Sequence, residues 1–200
     1  MLTALFVGSL TNDLFEIPYD ILVGIDKGAV FCAENKLMMD MAVGDFDSID
    51  PEDLALVKAY SKELVILNKQ KNESDSEVAV ARWVDRVDRI IMLGALGGRL
   101  DHQYVNMHLM MQHPTIHLRD HLNHMFVTDE SIDIFKDGYT YLSLFALEES
   151  VVTLSNVKYP LNKRVLYPQD RYTLSNEFMD KVVRLTLDKG KLMIIKSKDK

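Results

Sequence analysis

The most constraining feature of this sequence is the alternation of short apolar runs with helical segments over residues 1–122. Several of these runs are continuously hydrophobic, which is typical of the strands of a parallel sheet covered on both faces. Strands that alternate with helices predict an α/β domain, here a Rossmann-like three-layer domain with a mostly parallel sheet. The strand candidates are Leu2–Val7, Ile21–Ile25, Met41–Val43, Leu64–Leu67, Arg89–Leu93 and Thr115–Leu118.

Two helix starts are marked by their capping residues. Asp50 precedes Pro51 and two acidic residues, which predicts an N-cap, a proline at the first helical position and negative charge at the positive end of a helix. Ser74 and Glu77 have the spacing of a capping box before the apolar segment Val78–Val84. Both patterns predict the start of a helix, and each lies in a part of the sequence that is rich in acidic residues.

From residue 123 to residue 200 the segments become shorter and richer in β-forming residues. Asp137-Gly138 and Lys189-Gly190 suit tight hairpins, and Asn162, Pro168 and Asp170 interrupt a longer connection. The pattern predicts a second, antiparallel domain of the β-sandwich or barrel type. The strand candidates are Met125–Thr128, Ile132–Phe135, Tyr139–Leu147, Val151–Leu154, Val182–Leu187 and Leu192–Ile195.

Composition limits the partners of the chain. A net charge of −7 and a pI near 5.3 count against broad binding to nucleic acid or to an anionic membrane, since both need a surplus of lysine and arginine. The first apolar run has no basic residues before it, and Asn12-Asp13 ends it too early for a signal peptide or a membrane span. The single cysteine, Cys32, has no partner for an internal disulfide. We therefore expect a cytoplasmic protein with no nucleic-acid or membrane partner.

Acidic side chains follow three of the predicted strands. Because the carboxyl ends of parallel strands form the ligand crevice of an open α/β sheet, we expect these segments to converge although they are far apart in sequence. The segments are Gly24-Ile25-Asp26-Lys27-Gly28-Ala29, Gly44-Asp45-Phe46-Asp47-Ser48 and Gly97-Gly98-Arg99-Leu100-Asp101-His102.

The spacing of Asp45 and Asp47 suggests a metal site. In an extended segment both carboxylates point to the same side and repel each other unless a cation lies between them. Mg²⁺ is the natural cation, since it prefers oxygen ligands and shares its shell with substrate phosphates. Asp75, at a predicted helix start, can reach the same ion. The alternatives are a turn at Asp45–Ser48 held by Asx-type hydrogen bonds, and a capping box that explains Ser74 without any ligand.

Basic residues that can hold phosphates lie near these acids. Lys71 offers an ammonium group in a loop, and Arg99 offers a planar guanidinium beside the flexible Gly97-Gly98 pair. A solvated loop lysine, an ordinary glycine turn and a helix cap at Asp101 are the alternatives. The chain has neither a P-loop pattern nor the Rossmann dinucleotide fingerprint, so phosphate binding here would depend on metal, lysine and arginine.

Other chemistry-bearing residues favour structural roles. The six histidines fall between His102 and His124, with no HExxH pattern or thiolate to support zinc. His102 is the exception, because it adjoins the glycine-arginine segment. Cys32 is predicted to be a buried small hydrophobic residue. The methionines predicted to fill the core are Met38, Met39, Met107, Met110 and Met111.

Six sequence blocks, taken together, resemble the thiamine pyrophosphokinase family over nearly the whole chain. Each block alone is modest, but six in the same order are specific. The blocks are Gly24–Ala29, Gly44–Ser48, Lys71–Ala79, Gly97–His102 with Asn106, Lys158–Leu161 and Leu174–Glu177.

The resemblance implies that a pyrophosphoryl group passes from ATP to the primary hydroxyl of thiamine, giving thiamine diphosphate and AMP. It implies an α/β catalytic, nucleotide-binding domain over residues 1–122, a β-rich thiamine-binding domain over residues 123–200, and a homodimer with thiamine near the subunit interface. The implied roles are Mg²⁺ binding by Asp45, Asp47 and Asp75, contact with ATP by Asp26, Lys71, Arg99, Asp101 and His102, contact with thiamine by Ser175 and Asn176, and catalysis by Asp47, Asp75, Arg99 and Asp101.

Two other classes of function remain open from the sequence. A Mg²⁺-dependent nucleotide hydrolase would use the same acidic cluster on water, and thiamine-independent turnover of ATP would favour it. A non-catalytic nucleotide- or thiamine-binding protein would bind its ligand without forming product. The complete set of acids and arginine argues against the second of these.

Overall fold

The computed structural model describes residues 1–14, 17–68, 70 and 72–200, and it divides into two compact units, Met1–Arg119 and Asp120–Lys200. The elements are β1 Thr3–Val7, β2 Ile21–Ile25, α1 Lys27–Glu34, β3 Met41–Gly44, α2 Pro51–Ala59, β4 Leu64–Ile66, α3 Asp75–Trp83, β5 Arg89–Leu93, α4 Leu100–Gln112, β6 Ile116–Arg119, β7 Asn123–Thr128, β8 Ile132–Phe135, β9 Tyr141–Ala146, β10 Ser150–Ser155, β11 Leu161–Leu166, β12 Asn176–Glu177, β13 Val182–Lys189 and β14 Leu192–Ser197. Among the described residues, no helix is both long enough and apolar enough to cross a membrane.

The first unit is the predicted α/β domain. Its strands form a parallel sheet in the order β6-β5-β1-β2-β3-β4. All residues of β1 are buried, because the sheet is covered on both faces. Leu5 and Val7 pack in one core with α1 and α2, whereas Phe6 points to the opposite face.

The order of these strands places a crevice at one point of the sheet. The chain runs from β1 outward to β4, returns to β5 on the other side of β1, and then continues to β6. The direction therefore reverses between the neighbours β1 and β5. In open α/β sheets, ligands bind outside the carboxyl ends of the strands at such a switch point.

Two glycines of the first sequence block have a packing role. A Cβ added at Gly28 would collide with the backbone carbonyl of Val7, and one added at Gly24 would collide with Ala29 and Met39. Glycine therefore allows α1 to begin directly after β2 and to lie close against the sheet.

The second unit is a β-sandwich, as predicted. One antiparallel sheet has the order β12-β9-β14-β7, and the other has the order β11-β10-β13-β8. Alternate residues of both sheets enter one core, with Leu144 and Ile194 from the first sheet and Val152 and Leu185 from the second.

The two predicted hairpins are wrong. β8 pairs with β13, whereas β9 pairs with β12 and β14, so the turn at Asp137-Gly138 carries the chain from one sheet to the other. The turn at Lys189-Gly190 does the same between β13 and β14. A turn dipeptide specifies a tight reversal, but burial of alternate side chains decides which strands pair.

The stretch predicted to be a long connection contains an additional strand. β11 pairs antiparallel with β10 at the edge of its sheet, and its four central residues are exposed. An exposed edge strand needs no alternating apolar pattern, so the periodicity used for the other strands is missing here.

The helix starts marked by capping residues are confirmed, and the core-filler prediction is confirmed in part, since Met107 and Met111 are only half-buried. Pro51 is the first residue of α2 after Asp50, although the Asp50 side chain makes no capping hydrogen bond. Cys32, Met39 and Met110 are buried, and burial raises the pKa of the Cys32 thiol to about 12. Met38 does not fill the core, since 52% of its surface is exposed.

Candidate active site

A cleft of about 730 Å³ lies in the first unit, at the carboxyl ends of β1, β2 and β5. Phe6 and Met92 contribute apolar surface from the strands, and the first turns of α3 and α4 contribute polar side chains. The cleft therefore occupies the switch point of the sheet, where helix N-termini also favour negatively charged ligands.

The structure brings together predicted site residues from three separate parts of the sequence. Asp26, Asp75, Arg99 and His102 all line the cleft. Among the described residues, the lining does not extend to Asp45, Asp47 or Asp101, and these three residues are considered separately below.

Asp26 has an unusual backbone conformation at the edge of the cleft. It is the N-cap residue of α1, with φ 49° and ψ −122°, a region that residues other than glycine rarely adopt. Its N–H donates to the carbonyl of Val43, and its own carbonyl accepts from the N–H of Ala29. Its carboxylate occupies the place that a Cβ of residue 44 would take, so Gly44 in the second block makes room for Asp26.

Acidic neighbours change the ionisation of Asp26. Burial, a side-chain hydrogen bond with Asp75 and the negative charges of Asp75 and Asp45 raise the pKa of Asp26 to about 7. The Oδ1 atom of Asp26 is buried and has no hydrogen-bond partner among the described residues. A carboxylate oxygen left in this way beside two more acids is an environment that a cation would stabilise.

The segment Asp45–Asp47 is a turn, not the extended segment in which both carboxylates would point to the same side. Phe46 is buried with φ 52°, and the N–H of Asp47 donates to Oδ1 of Asp45 at 3.1 Å. The Asx-type alternative is therefore correct for this backbone. Asp45 is half-buried near Asp26, whereas Asp47 is exposed.

Asp75 lies at a helix start fixed by a complete capping box. The N–H of Glu77 donates to the Ser74 hydroxyl at 3.2 Å, and the N–H of Ser74 donates to the Glu77 carboxylate at 2.7 Å. Hydrogen bonds to the Glu77 carboxylate from the backbone N–H and the side chain of Ser74 lower the pKa of Glu77. The structural interpretation of Ser74 and Glu77 is correct, and it leaves the Asp75 carboxylate beside Asp26.

Arg99 and Asp101 form an exposed ion pair at the start of α4. The guanidinium donates to both carboxylate oxygens, with Nη2 to Oδ2 at 2.6 Å and Nε to Oδ1 at 3.1 Å. The hydrogen bond from Arg99 lowers the pKa of Asp101 to about 2. The helix cap considered for Asp101 is wrong, because Arg99 is the N-cap residue and Asp101 lies in the first turn. His102 is exposed next to this pair and lines the cleft.

The predicted phosphate contact of Lys71 stays a prediction, because Lys71 lies outside the described residues. Among the described residues, no group of three or more histidine, cysteine, aspartate or glutamate side chains has the arrangement of a metal site. The metal-binding role of Asp45, Asp47 and Asp75 therefore stays a prediction, and Asp26 is close to two of these acids.

The residues predicted to contact thiamine lie in the second unit and have structural contacts of their own. Oδ1 of Asn176 accepts from the N–H groups of Tyr159 and Glu177, and Nδ2 donates to the carbonyl of Tyr159 at 2.8 Å. Ser175 has φ 55°, and its N–H donates to the hydroxyl of Ser143 at 2.9 Å. A hollow of about 80 Å³, lined in part by Tyr159 and Asn176, adjoins these contacts.

Sequence reasoning missed several residues of the first cleft. Gly8 and Leu10, which follow β1, line it, as does Gln103 on α4. Asn106 had been noted only as part of a block; it is buried and donates from Nδ2 to the carbonyl of Ala95 at 3.1 Å. The position of residues 8–10 directly after a buried strand was the signal that could have identified them.

Comparison with known proteins agrees with this arrangement. Residues 17–119 match the family model "Thiamin pyrophosphokinase, catalytic domain", and residues 129–192 match "Thiamin pyrophosphokinase, vitamin B1 binding domain". The thiamine pyrophosphokinase of Bacillus subtilis (strain 168) is 30% identical over 191 residues, which covers 90% of this chain and 89% of that protein.

Solved structures extend the similarity to the fold. The structure of a thiamin pyrophosphokinase family protein from Enterococcus faecalis has a TM-score of 0.86 at 29% identity and covers 100% of both chains. That of thiamine pyrophosphokinase from Bacillus subtilis has a TM-score of 0.88 at 26% identity and covers 99% of this chain and 100% of the other. The two family models, the relative and the shared fold lead to one conclusion: the chain belongs to the thiamin pyrophosphokinase family.

Proposed function

We propose that this protein transfers a pyrophosphoryl group from ATP to thiamine, with thiamine diphosphate and AMP as products. Family membership supports this reaction. The observation that carries it in the structure is a single cleft at the sheet switch point that contains Asp26, Asp75, Arg99 and His102. The reaction needs such a cleft, because the hydroxyl oxygen of thiamine must attack the β-phosphorus in line while AMP leaves.

Arg99 has the role of holding phosphate. Its guanidinium is planar and already makes a two-point contact with a carboxylate, which is the geometry that also fits a phosphate group. Side chains of Arg99 and Asp101 are 73% and 63% exposed, so a ligand can share or replace Asp101 as the partner. In this function Arg99 and His102 bind ATP, and Lys71, which lies outside the described residues, adds positive charge.

Mg²⁺ is the proposed cofactor. The acids at the edge of the cleft fit a divalent ion, since the Asp26 Oδ1 atom is buried without a partner among the described residues and Asp75 and Asp45 raise the pKa of its carboxyl group. Asp45, Asp47 and Asp75 would hold the ion, with Asp26 beside them. When bound, Mg²⁺ would neutralise charge on the phosphate oxygens.

The proton of the thiamine hydroxyl needs little help from a base, because phosphoryl-type transition states are loose. Asp47 and Asp101 are the two acceptors considered from sequence. With a pKa of about 2 in its pair with Arg99, Asp101 is a weak proton acceptor. Asp101 therefore serves better to orient Arg99 than to remove the proton.

The reaction is tested by product analysis. Purified protein with ATP, Mg²⁺ and thiamine is expected to release AMP and form thiamine diphosphate, both measured by chromatography. Release of ADP would indicate transfer of a single phosphoryl group and would contradict the proposal. Turnover of ATP that does not depend on thiamine would instead indicate a nucleotide hydrolase.

The assignment of Asp47 is tested by Asp47→Asn. The variant is expected to lose activity by at least about 100-fold, because it lacks a metal-binding carboxylate, while its melting temperature stays within about 2 °C of wild type. Asp53→Asn, on α2 outside the cleft, is the matched control. Unchanged activity in Asp47→Asn would remove Asp47 from the metal site.

A homodimer in the cytoplasm is the proposed form of the protein. The resemblance supports the dimer, with thiamine near the subunit interface. The hollow of about 80 Å³ near Asn176 is far below the roughly 300–1,000 Å³ of small-molecule pockets, and in the proposed dimer a second copy of the chain would enlarge it. Light scattering over a concentration series measures the mass, and a monomer under assay conditions would contradict this part of the proposal.

A further inference from the structure

The side chain of Gln103 joins α4 to the glycine loop that precedes it. Its Oε1 accepts a hydrogen bond from the backbone N–H of Gly97 at 3.0 Å, whereas the backbone N–H of Gln103 donates to the carbonyl of Arg99 at 3.1 Å. Gln103 therefore contacts the loop at Gly97 through its side chain and at Arg99 through its backbone. Gln103 is partly buried and lines the cleft.

The loop that Gln103 contacts contains two adjacent glycines, which allow many backbone conformations. Gly97 and Gly98 have φ values of 87° and 66°, and open space surrounds the position of a Cβ at Gly97. Gly98 lies against Leu10, since a Cβ there would approach the Leu10 side chain at 2.8 Å. Two adjacent glycines lose much conformational entropy when ordered, so side-chain contacts are needed to keep one loop conformation.

Arg99 depends on this loop for its position. It follows Gly98 directly and is the N-cap residue of α4, and its side chain makes no capping hydrogen bond to the helix. Its side-chain partner is Asp101, two residues away, which moves with the same segment. The direction of the guanidinium relative to the cleft is therefore set by the backbone of the loop.

We propose that Gln103 is a positioning residue that holds the Gly97–Arg99 loop in place and thereby directs Arg99 toward the phosphates of the nucleotide, an inference that rests on the proposed function of the cleft. Gln103 acts through its amide oxygen on the backbone, not by contact with the reacting atoms. Loss of one such hydrogen bond changes an equilibrium by about threefold to tenfold.

The test compares three variants of the full-length protein. Gln103→Ala removes the acceptor, Gln103→Glu keeps an acceptor oxygen at the same distance along the side chain, and Gln112→Ala is the matched control at the exposed far end of α4. Amide hydrogen exchange at Gly97 is measured without ligand. We expect exchange about threefold to tenfold faster in Gln103→Ala and near the wild-type rate in the other two variants.

Ligand affinity supplies the second measurement. Gln103→Ala is expected to weaken ATP binding, measured by calorimetry, by about threefold to tenfold and to raise KM for ATP with little change in kcat or in KM for thiamine. Unchanged Gly97 exchange in Gln103→Ala would overturn the proposal, as would faster exchange with unchanged ATP affinity. Absence of ATP binding in the wild-type protein would refute the proposed function instead, and the exchange rates would still decide whether Gln103 holds the loop.

Discussion

The predicted nucleotide residues in the first unit and the predicted thiamine residues in the second differ in what their polar groups do. At the edge of the first cleft, Asp26 carries a buried oxygen without a partner among the described residues, beside the carboxylate of Asp75. In the second unit, Asn176 uses its amide to hold the backbone at Tyr159 and Glu177. The buried Asp26 oxygen costs free energy unless a ligand pairs with it, whereas the protein itself supplies the hydrogen-bond partners of the Asn176 amide. Residues that bind a ligand and residues that build the site can therefore occur in similar sequence blocks.

The largest expected effect concerns Asp75. Asp75→Asn is expected to reduce activity by at least about 100-fold, because it removes a carboxylate proposed to hold Mg²⁺. In metal-free buffer the melting temperature is expected to stay the same or rise, since the change relieves repulsion with Asp26.

Thermal unfolding and steady-state rates measure the two effects of Asp75→Asn. Asp85→Asn, at an exposed position after α3, is the control and is expected to change neither. Equal activity in Asp75→Asn and wild type would remove Asp75 from the metal site. A large loss of stability with metal absent would show that the carboxylate has a structural role like that of Asn176.

The second expected effect separates the two thiamine candidates. Asn176→Ala is expected to lower the free energy of unfolding by about 2–3 kcal/mol, because three hydrogen bonds of a buried side chain are lost. Ser175→Ala is expected to change it by less than about 0.5 kcal/mol while raising KM for thiamine. Urea unfolding and steady-state kinetics distinguish them, and a stability loss confined to Ser175→Ala would reverse the assignment.

The smallest expected effect concerns the capping box of α3. Ser74→Ala is expected to cost about 1 kcal/mol, because it removes the acceptor for the Glu77 N–H. Activity at saturating ATP should remain within about threefold of wild type if the role of Ser74 is structural. A loss comparable with that of Asp75→Asn would place Ser74 among the binding residues.

The capping box of α3 also makes the stability of the protein depend on pH, in a direction that the pKa of Glu77 sets. The folded-state pKa of Glu77 is lowered by its hydrogen bonds with Ser74. Its contribution to stability is therefore present above the ordinary glutamate pKa of about 4.3 and is lost as the pH falls through the lower folded value. Chemical unfolding between pH 3 and pH 7, about the range of carboxylate titration, should show a smaller acid-induced loss in Ser74→Ala than in wild type.

Much of the fold was predictable because burial leaves a periodic signal. Ile21–Ile25 and Arg89–Leu93 have the bounds read from their apolar runs, and the capping box at Ser74 marked the start of α3. The edge strand Leu161–Leu166 was not predictable, because its exposed residues carry no such signal. The partners of β8 and β9 were not predictable either, since a turn does not encode which sheet each strand joins.

Part of the candidate site was likewise predictable from the sequence, and part of it was not. The strand-end rule identified Asp26 and Arg99, and the predicted helix start identified Asp75; all three line one cleft. The same-side argument for Asp45 and Asp47 failed because Phe46 lies in the left-handed region and turns the chain. Gln103 lies outside the blocks that carry the family resemblance, and only its contact with Gly97 makes it noticeable.

The sequence by itself determined the class of each unit, the family and the chemical types of residue at the strand ends, because hydrophobic periodicity, caps and short motifs are local properties. Tertiary structure decided which of those residues meet and which groups stay unsatisfied. Gly44 makes room for the Asp26 carboxylate, Asp75 approaches it from another helix, and Asn176 is occupied by the backbone of residue 159. These relations depend on packing between segments that are distant in sequence, where the position of one atom sets the hydrogen bonding and charge of another.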